Sequence, residues 1–146
     1  RSIFLLSQAV GKQSMIPRRY GRIVNIASIA GLSGNGPDMQ TLAYNTSKAA
    51  VINFTRTLAG EWGKYGITVN ALAPGYFATE LNTALLEDKA FTAWVEARTP
   101  AGRWGRLEDL HGVAVFLASS ASDFVNGQTL FVDDPWGNLL RISAVA

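Results

Sequence analysis

Short apolar segments of strand length alternate in this chain with much longer segments of helical periodicity. Residues 22–28 and 67–73 are apolar runs, and residues 41–62 between them carry apolar side chains at three- and four-residue steps. A crossover of that length joins strands that run parallel, and buried parallel strands are apolar on both faces. Residues 128–133 predict a third strand. The order predicts an α/β protein built on a doubly wound parallel sheet.

Further helical patterns flank the predicted strands. Residues 1–16 show helical spacing from the first position without an N-cap signal, which predicts the later turns of a helix that begins upstream; a frayed terminal helix is the alternative. Pro17 and Gly21 are expected to end it. Residues 80–97 predict one helix or two short ones, and residues 108–118 predict another. A loop is expected at Gly31, Gly34, Gly36 and Pro37.

The composition argues against several classes of function. The 146 residues contain no cysteine and a single histidine, His111, so thiolate sites, a cysteine nucleophile and histidine clusters for a metal or a catalytic triad are not expected. Lys and Arg number 13 against 11 Asp and Glu, and no basic run exceeds residues 18–19, so nucleic acid is not expected as a partner. Without a long apolar run or a signal-peptide pattern, the expectation is a cytoplasmic protein without a membrane partner.

A ligand site is expected at the carboxyl ends of the predicted strands. Ligands bind beyond those ends in an open parallel sheet. Ser28 ends the first strand, Pro74 and Gly75 stop the second, and Asp133 ends the third. The chemistry of this protein should therefore lie near these residues.

Tyr44 and Lys48 lie four positions apart on the predicted helix, so their side chains share one face about one turn apart. An ammonium beside a phenol stabilises the phenolate, which lets a tyrosine exchange a proton with a hydroxyl or carbonyl near neutral pH. Ser28 can donate a hydrogen bond to the same oxygen. This grouping fits the redox chemistry of alcohols and carbonyls, although the spacing alone leaves a surface pair without function as the alternative.

Three motifs in order resemble the short-chain dehydrogenase/reductase family. They are NIASIAG at residues 25–31, YNTSKAA at residues 44–50 and VNALAPGYFAT at residues 69–79. Each falls at a predicted strand end or helix start, and the resemblance extends from residue 1 to about residue 133. It implies a Rossmann-type sheet and an NAD(P)-dependent enzyme.

The resemblance also implies a role for individual residues. Tyr44 would be the catalytic acid/base, Lys48 would stabilise its phenolate and hold the nicotinamide ribose, and Ser28 would orient the substrate oxygen. The cofactor would be NAD or NADP, and hydride would pass between its nicotinamide and the carbon that bears this oxygen. The residues implied to contact the cofactor are Tyr44, Lys48, Pro74, Gly75 and Thr79.

Within the family, residues 82–85 and 98–106 resemble the gluconate 5-dehydrogenase-like group, which implies a small alcohol or ketone substrate such as the sugar acid gluconate. A homo-oligomer, either a dimer or a tetramer, is also expected. The predicted helix at residues 41–62 has apolar side chains beyond one face, including Ile52 and Phe54, and family members often pair through this helix and the preceding one.

The chain departs from the family by lacking the Gly-rich turn that binds the cofactor pyrophosphate at a helix N-terminus. Residues 1–146 are therefore expected to be a single partial domain, the catalytic second half of the sheet, and to bind cofactor poorly by themselves. The alternative is a truncated, catalytically silent remnant that acts as a folded or dimerising module. Asp134 and Pro135 stand where relatives often carry Gly-Gly, so a different path is expected for the tail.

Several other residues are expected to be structural. Arg22 is assigned to a solvated turn before the first strand, and Asn25 and Asn70 are expected to satisfy backbone groups inside their strands. The tryptophans are expected to pack in the core or at interfaces. They are Trp62, Trp94, Trp104 and Trp136.

Overall fold

Three parallel strands form the sheet of this protein, whose computed structural model describes residues 1–32 and 39–132. The strands are β1 (Gly21–Ile26), β2 (Ile67–Pro74) and β3 (Thr129–Val132), and their order in the sheet is β1-β2-β3. This confirms the α/β architecture with a parallel sheet. The expectations for Gly34, Gly36, Pro37, Asp133, Asp134, Pro135 and Trp136 fall outside the described residues.

The strand register brings the carboxyl ends of the strands to one edge of the sheet. Ile26 lies opposite Leu72, and Pro74 lies opposite Val132. The N–H of Ala27 donates to the carbonyl of Leu72 at 2.6 Å, so pairing continues one residue past the end of β1. Residues that follow β1 and β2 are therefore delivered to the same edge, as parallel pairing requires.

The helices agree with the sequence patterns, apart from some boundaries. Five α-helices of five residues or more are described, and several short 3₁₀ turns lie between the elements. The helices are α1 (Ser2–Val10), α2 (Leu42–Trp62), α3 (Thr83–Glu87), α4 (Lys89–Arg98) and α5 (His111–Ala118).

The first helical path ends between Pro17 and Gly21, as expected, although it does not stop at Pro17 itself. After α1 the chain continues as a π-helical turn, Gly11–Met15, and as a last helical segment, Ile16–Arg18. Pro17 lies in the first turn of that last segment, where a missing N–H costs little. The helical path ends at Arg19, whose φ of 50° is left-handed.

Two apolar clusters fill the space between α2 and the sheet. The cluster near the amino ends of the strands is built from larger side chains, including Leu58, Ile67 and Val69. The cluster near the carboxyl ends is built mainly from small ones, which are Ala27, Ala71 and Ala73 around Ile52. Since alanine fills little space, α2 lies close to the sheet at the end where the site is expected.

Buried asparagines make two different kinds of bond. Asn70 satisfies backbone groups as expected, because its Nδ2 donates to the carbonyl of Val125 at 2.8 Å and its Oδ1 accepts from the N–H of Gln128 at 3.0 Å. Asn25 instead donates to the side chain of Thr55 at 2.9 Å, so the backbone role expected for it was wrong. This bond joins β1 to α2.

Arg22 does not lie in a solvated turn. Its side chain is 10% exposed and forms a salt bridge with Asp123. The Asp123 carboxylate raises the pKa of the Arg22 guanidinium further above its already high value. The partner lies about a hundred positions away, at the loop before β3, so local sequence could not show it.

The outer surface of α1 is apolar. Phe4, Leu5 and Leu6 are 55%, 50% and 66% exposed. On α2, by contrast, Ile52 is buried in the core, so the surplus of apolar residues that the sequence placed on that helix is partly used inside the chain. Among the described residues, no helix has the length and apolar character needed to cross a bilayer.

Candidate active site

Tyr44 and Lys48 lie together at the start of α2, as the sequence spacing predicted. The Lys48 Nζ is 5.5 Å from the centre of the Tyr44 ring, and Tyr44 is 48% exposed. The hydroxyl of Ser47 donates to the Tyr44 carbonyl at 2.7 Å within this first turn. A phenol that solvent can reach therefore lies beside a cation on one face of the helix.

The same lysine joins α2 to the end of β1. Its Nζ donates to the carbonyl of Ile26 at 3.1 Å. Ile26 is the last residue of β1 and precedes Ser28 by two positions. The hydrogen bond therefore places the ammonium of Lys48 at the carboxyl edge of the sheet, close to the backbone that leads to the serine.

Ser28 is buried just beyond β1, with 8% of its surface exposed. Its backbone is extended, and its Oγ accepts from the N–H of Ala30 at 3.2 Å as the cap of a short 3₁₀ turn, Ile29–Gly31. The Oγ keeps its own proton for donation, because capping uses only a lone pair. Gly31, at the end of that turn, packs directly against the backbone of α2 at Lys48.

The residues after β2 border the same edge. The N–H of Gly75 donates to the carbonyl of Val132 at 3.0 Å, which closes the end of the sheet. Thr79 begins the 3₁₀ turn Glu80–Asn82, and its side chain is not used to cap that turn. Pro74, Gly75 and Thr79 are thus arranged along the path that leaves β2, while Tyr44, Lys48 and Ser28 are arranged beside the end of β1.

An aromatic cluster that sequence reasoning missed lies beyond Gly75. Tyr76 meets Phe91, Trp94 and Trp104 edge to face or nearly so, with ring centres 5.8 to 5.9 Å apart. Phe91 and Trp94 stack at 5.4 Å on one face of α4. The available signal was their three-residue spacing, which puts both rings on the same face of a helix.

Charge also acts on this cluster. The guanidinium of Arg98 lies 4.1 Å from the centre of the Trp94 ring. Burial raises the pKa of Tyr76, and the nearby Arg98 cation opposes part of that rise. Tyr76 is therefore a neutral phenol at physiological pH.

The segment at residues 103–109, which follows the aromatic cluster, is held by a salt bridge and a hydrogen bond. Asp109 pairs with Arg103 at 2.7 Å and accepts from the backbone N–H of Arg106 at 2.8 Å. These bonds hold the pKa of the Asp109 carboxyl well below its usual range. Nearby, Gly105 pairs with Phe77 in an isolated parallel bridge.

The arrangement suits proton transfer to an oxygen. A half-exposed phenol, an adjacent ammonium and a buried serine hydroxyl all lie at the ends of β1 and α2. Within residues 1–32 and 39–132, no group of three or more histidine or acidic side chains is placed to hold a metal ion.

Comparison with known proteins shows similarity to proteins that are named as oxidoreductases. A family model described as enoyl-(acyl carrier protein) reductase matches residues 1–134. The chain is 50% identical over 133 residues to a gluconate 5-dehydrogenase from Gluconobacter oxydans, which covers 90% of this chain and 50% of that protein. It is 52% identical over 132 residues to a 5-keto-D-gluconate 5-reductase from Escherichia coli strain K12, with the same coverage.

Solved structures agree in fold. The chain matches a crystal structure of a gluconate 5-dehydrogenase from Burkholderia cenocepacia J2315 in complex with NADP and tartrate, with a TM-score of 0.83 and 51% identity. That match covers 90% of this chain and 50% of the other. The chain thus spans about half the length of the relatives that it matches. On the family match, the identities and the shared fold, the chain belongs to the short-chain dehydrogenase/reductase family.

Proposed function

We propose that this chain forms the catalytic half of an oxidoreductase that interconverts an alcohol and a ketone on a sugar acid, with NAD or NADP as the hydride carrier. The observation that carries the proposal is the position of the Tyr44 phenol, half exposed and 5.5 Å by its ring centre from the Lys48 ammonium, at the carboxyl edge of the sheet. Ligands of open parallel sheets bind at this edge.

In the oxidation direction, the Tyr44 phenolate accepts the proton of the substrate hydroxyl while hydride leaves the same carbon. The Lys48 ammonium stabilises the phenolate, and the Ser28 Oγ donates a hydrogen bond to the substrate oxygen. In the reduction direction, Tyr44 returns its proton to the ketone oxygen. A bound nicotinamide supplies the remaining chemistry, the acceptance or donation of hydride.

The chain's residues fit the nicotinamide end of such a cofactor. The Thr79 hydroxyl is not used for capping, and it follows the Pro74 and Gly75 segment at the end of β2. We assign Thr79 and the backbone after Gly75 to the carboxamide, and Tyr44 and Lys48 to the ribose hydroxyls. The Gly-rich turn that would hold the pyrophosphate is not contained in these 146 residues.

Sugar acids are the proposed substrates because the relatives named above act on gluconate or 5-keto-D-gluconate by name. The solved relative holds tartrate, which also carries hydroxyl and carboxylate groups. Gluconate offers a secondary hydroxyl whose proton Tyr44 can accept. We therefore assign this protein to the oxidation of such a hydroxyl or to the reverse reduction.

We also propose that the protein is a homo-oligomer, a dimer or a tetramer. Phe4, Leu5 and Leu6 are large apolar side chains exposed on α1, and exposed apolar patches commonly mark protein interfaces. The ring of Phe4 lies 6.0 Å from that of Phe54, so this surface adjoins α2. Sedimentation at micromolar concentration should give a mass of two or four protomers, and a monomer would contradict the proposal.

The proposed activity is tested on the protein as its gene encodes it, with all in-frame sequence around this chain. Gluconate should drive reduction of NADP or NAD, and 5-keto-D-gluconate should drive the reverse. Ser28→Ala should lower turnover by about 10²-fold, whereas Ser120→Ala, at an exposed serine, should not. A folded oligomer without activity on any sugar acid with either cofactor would instead support the silent dimerising module.

A further inference from the structure

We infer that Gly31 is a positioning residue for the reaction, because the absence of a side chain there sets the distance between the Ser28 turn and the helix that carries Tyr44 and Lys48. A Cβ at position 31 would lie 2.8 Å from the carbonyl carbon of Lys48 and 2.9 Å from the nitrogen of Ala49. These are backbone atoms of α2, which no rotamer change can move aside. The inference rests on the proposed function, since it acts through Ser28.

The glycine is required for space and not for backbone conformation. The described glycines with positive φ are Gly66, Gly102 and Gly127, and Gly31 is not among them. Alanine could therefore adopt the backbone conformation of Gly31 without strain at φ. What it could not do is keep the present contact with α2.

The helix is the less movable partner in this contact. The Nδ2 of Asn25 donates to the Oγ1 of Thr55 at 2.9 Å, and that hydroxyl donates to the Val51 carbonyl at 2.8 Å. Asn25 and Thr55 are buried, so separating the pair would leave the Asn25 amide without this acceptor. The Lys48 bond to Ile26 is a second attachment of α2 to β1.

The turn Ile29–Gly31 is the part that would be displaced, and its hydrogen bonds to Ser28 would displace the serine with it. The N–H of Gly31 donates to the Ser28 carbonyl at 3.0 Å, and the N–H of Ala30 donates to the Ser28 Oγ at 3.2 Å. A shift of a few tenths of an ångström or more at position 31 is therefore transmitted to the serine. The expected consequence is a displaced hydrogen-bond donor opposite Tyr44.

The test is Gly31→Ala in the protein as its gene encodes it, with Gly60→Ala as the matched control. Gly60 lies on α2, and a Cβ there would meet nothing within 4 Å. Gly31→Ala should lower kcat at least about tenfold and leave the affinity for NADP within about twofold, because small misplacements cost turnover more than binding. Gly60→Ala should leave both unchanged. An unaltered kcat in Gly31→Ala would overturn the inference.

A double-mutant cycle separates positioning from general destabilisation. If Gly31 acts through Ser28, adding Gly31→Ala to Ser28→Ala should lower kcat by less than about twofold. An equal loss in both backgrounds would overturn the inference. The proposed function fails separately, if the unmodified protein has no activity on any sugar acid with either cofactor. Normal turnover in Ser28→Ala would overturn the inference alone, since Gly31 is argued to act through that serine.

A second variant keeps the test decisive if Gly31→Ala folds poorly. The Cδ1 of Ile52 would also lie 2.9 Å from the new Cβ, so Gly31→Ala/Ile52→Val removes that one contact and keeps the two with the α2 backbone. Its melting temperature should rise relative to Gly31→Ala while kcat stays low. Full recovery of kcat would show that the helix backbone does not set the position of Ser28.

Discussion

The two sides of the candidate site are held in place by different forces. On the β1 side, α2 is fixed by a buried Asn25–Thr55 hydrogen bond, by the Lys48 bond to Ile26 and by the close approach of Gly31. On the β2 side, the region beyond Gly75, residues 76–109, is held by contacts among aromatic rings and by exposed ion pairs. The first side depends on directional hydrogen bonds and on one close approach to the backbone of α2, and the second on contacts between side chains.

This difference corresponds to the demands of each side. Proton transfer requires donors and acceptors within a few tenths of an ångström, which buried hydrogen bonds and backbone packing provide. Under the proposed function, the region beyond Gly75 would border the substrate and could tolerate more movement, because ring contacts keep most of their energy over a range of geometries. Substitutions on the first side should therefore affect kcat, and substitutions on the second side should affect KM.

The largest effect is expected from Tyr44→Phe, which removes the proposed acid/base and leaves the ring. Turnover should fall at least about 10²-fold, as is typical when general acid–base catalysis is lost. Tyr65→Phe is the matched control, because this half-buried tyrosine packs at the opposite, amino end of the strands. Measured kcat near that of the unmodified protein in Tyr44→Phe would exclude the tyrosine as the catalytic group.

Thr55→Val should break the attachment between α2 and β1. The buried Asn25 amide would lose its partner, and the free energy of unfolding should fall by about 1–3 kcal/mol. Urea denaturation measures this loss. Thr57→Val, at an exposed position of the same helix, should change stability by less than about 0.5 kcal/mol. Equal stability of the two variants would show that the hydrogen bond does not hold the helix.

Phe91→Leu should loosen the second side. The ring contacts of Phe91 with Tyr76, Trp94 and Trp104 would be lost, at a cost of about 1–2 kcal/mol in unfolding free energy. KM for gluconate should rise while kcat stays within about twofold. Phe124→Leu, at a fully exposed ring, should change none of these quantities. A fall in kcat without a change in KM would remove the distinction between the two sides.

The smallest effect is expected from Asp109→Asn, and it should depend on pH. The bonds from Arg103 and Arg106 lower the pKa of folded Asp109 below the unfolded value of about 3.9, so this carboxylate stabilises the fold above that pH. Its contribution is lost as the pH falls toward the folded pKa. The wild type should exceed Asp109→Asn in stability at pH 6, and the difference should shrink in acid.

Low salt is the best condition for that measurement, because the ion pair is partly exposed and salt screens it. Glu108→Gln removes a neighbouring exposed carboxylate and should show no comparable change with pH. A stability difference that stays constant from pH 6 to pH 3 would mean that the carboxylate charge is not what holds this segment.

Local patterns in the sequence determined the elements and part of the site. Apolar runs and helical periodicity located all three strands and α2 to within a residue or two, because those patterns follow from the geometry of a single element. The pairing of Tyr44 with Lys48 follows for the same reason, since side chains four positions apart on a helix share a face. The family motifs supplied the roles expected of these residues.

Only the tertiary structure decided which elements meet and how closely. Three contacts show this. Gly31 leaves space for α2, Asn25 bonds to Thr55, and Arg22 forms a salt bridge with Asp123, and each contact is between residues that packing brings together. The aromatic cluster likewise joins the segment after β2 to α4. Such contacts depend on strand register and helix placement, which the burial of the whole core determines and which no local pattern encodes.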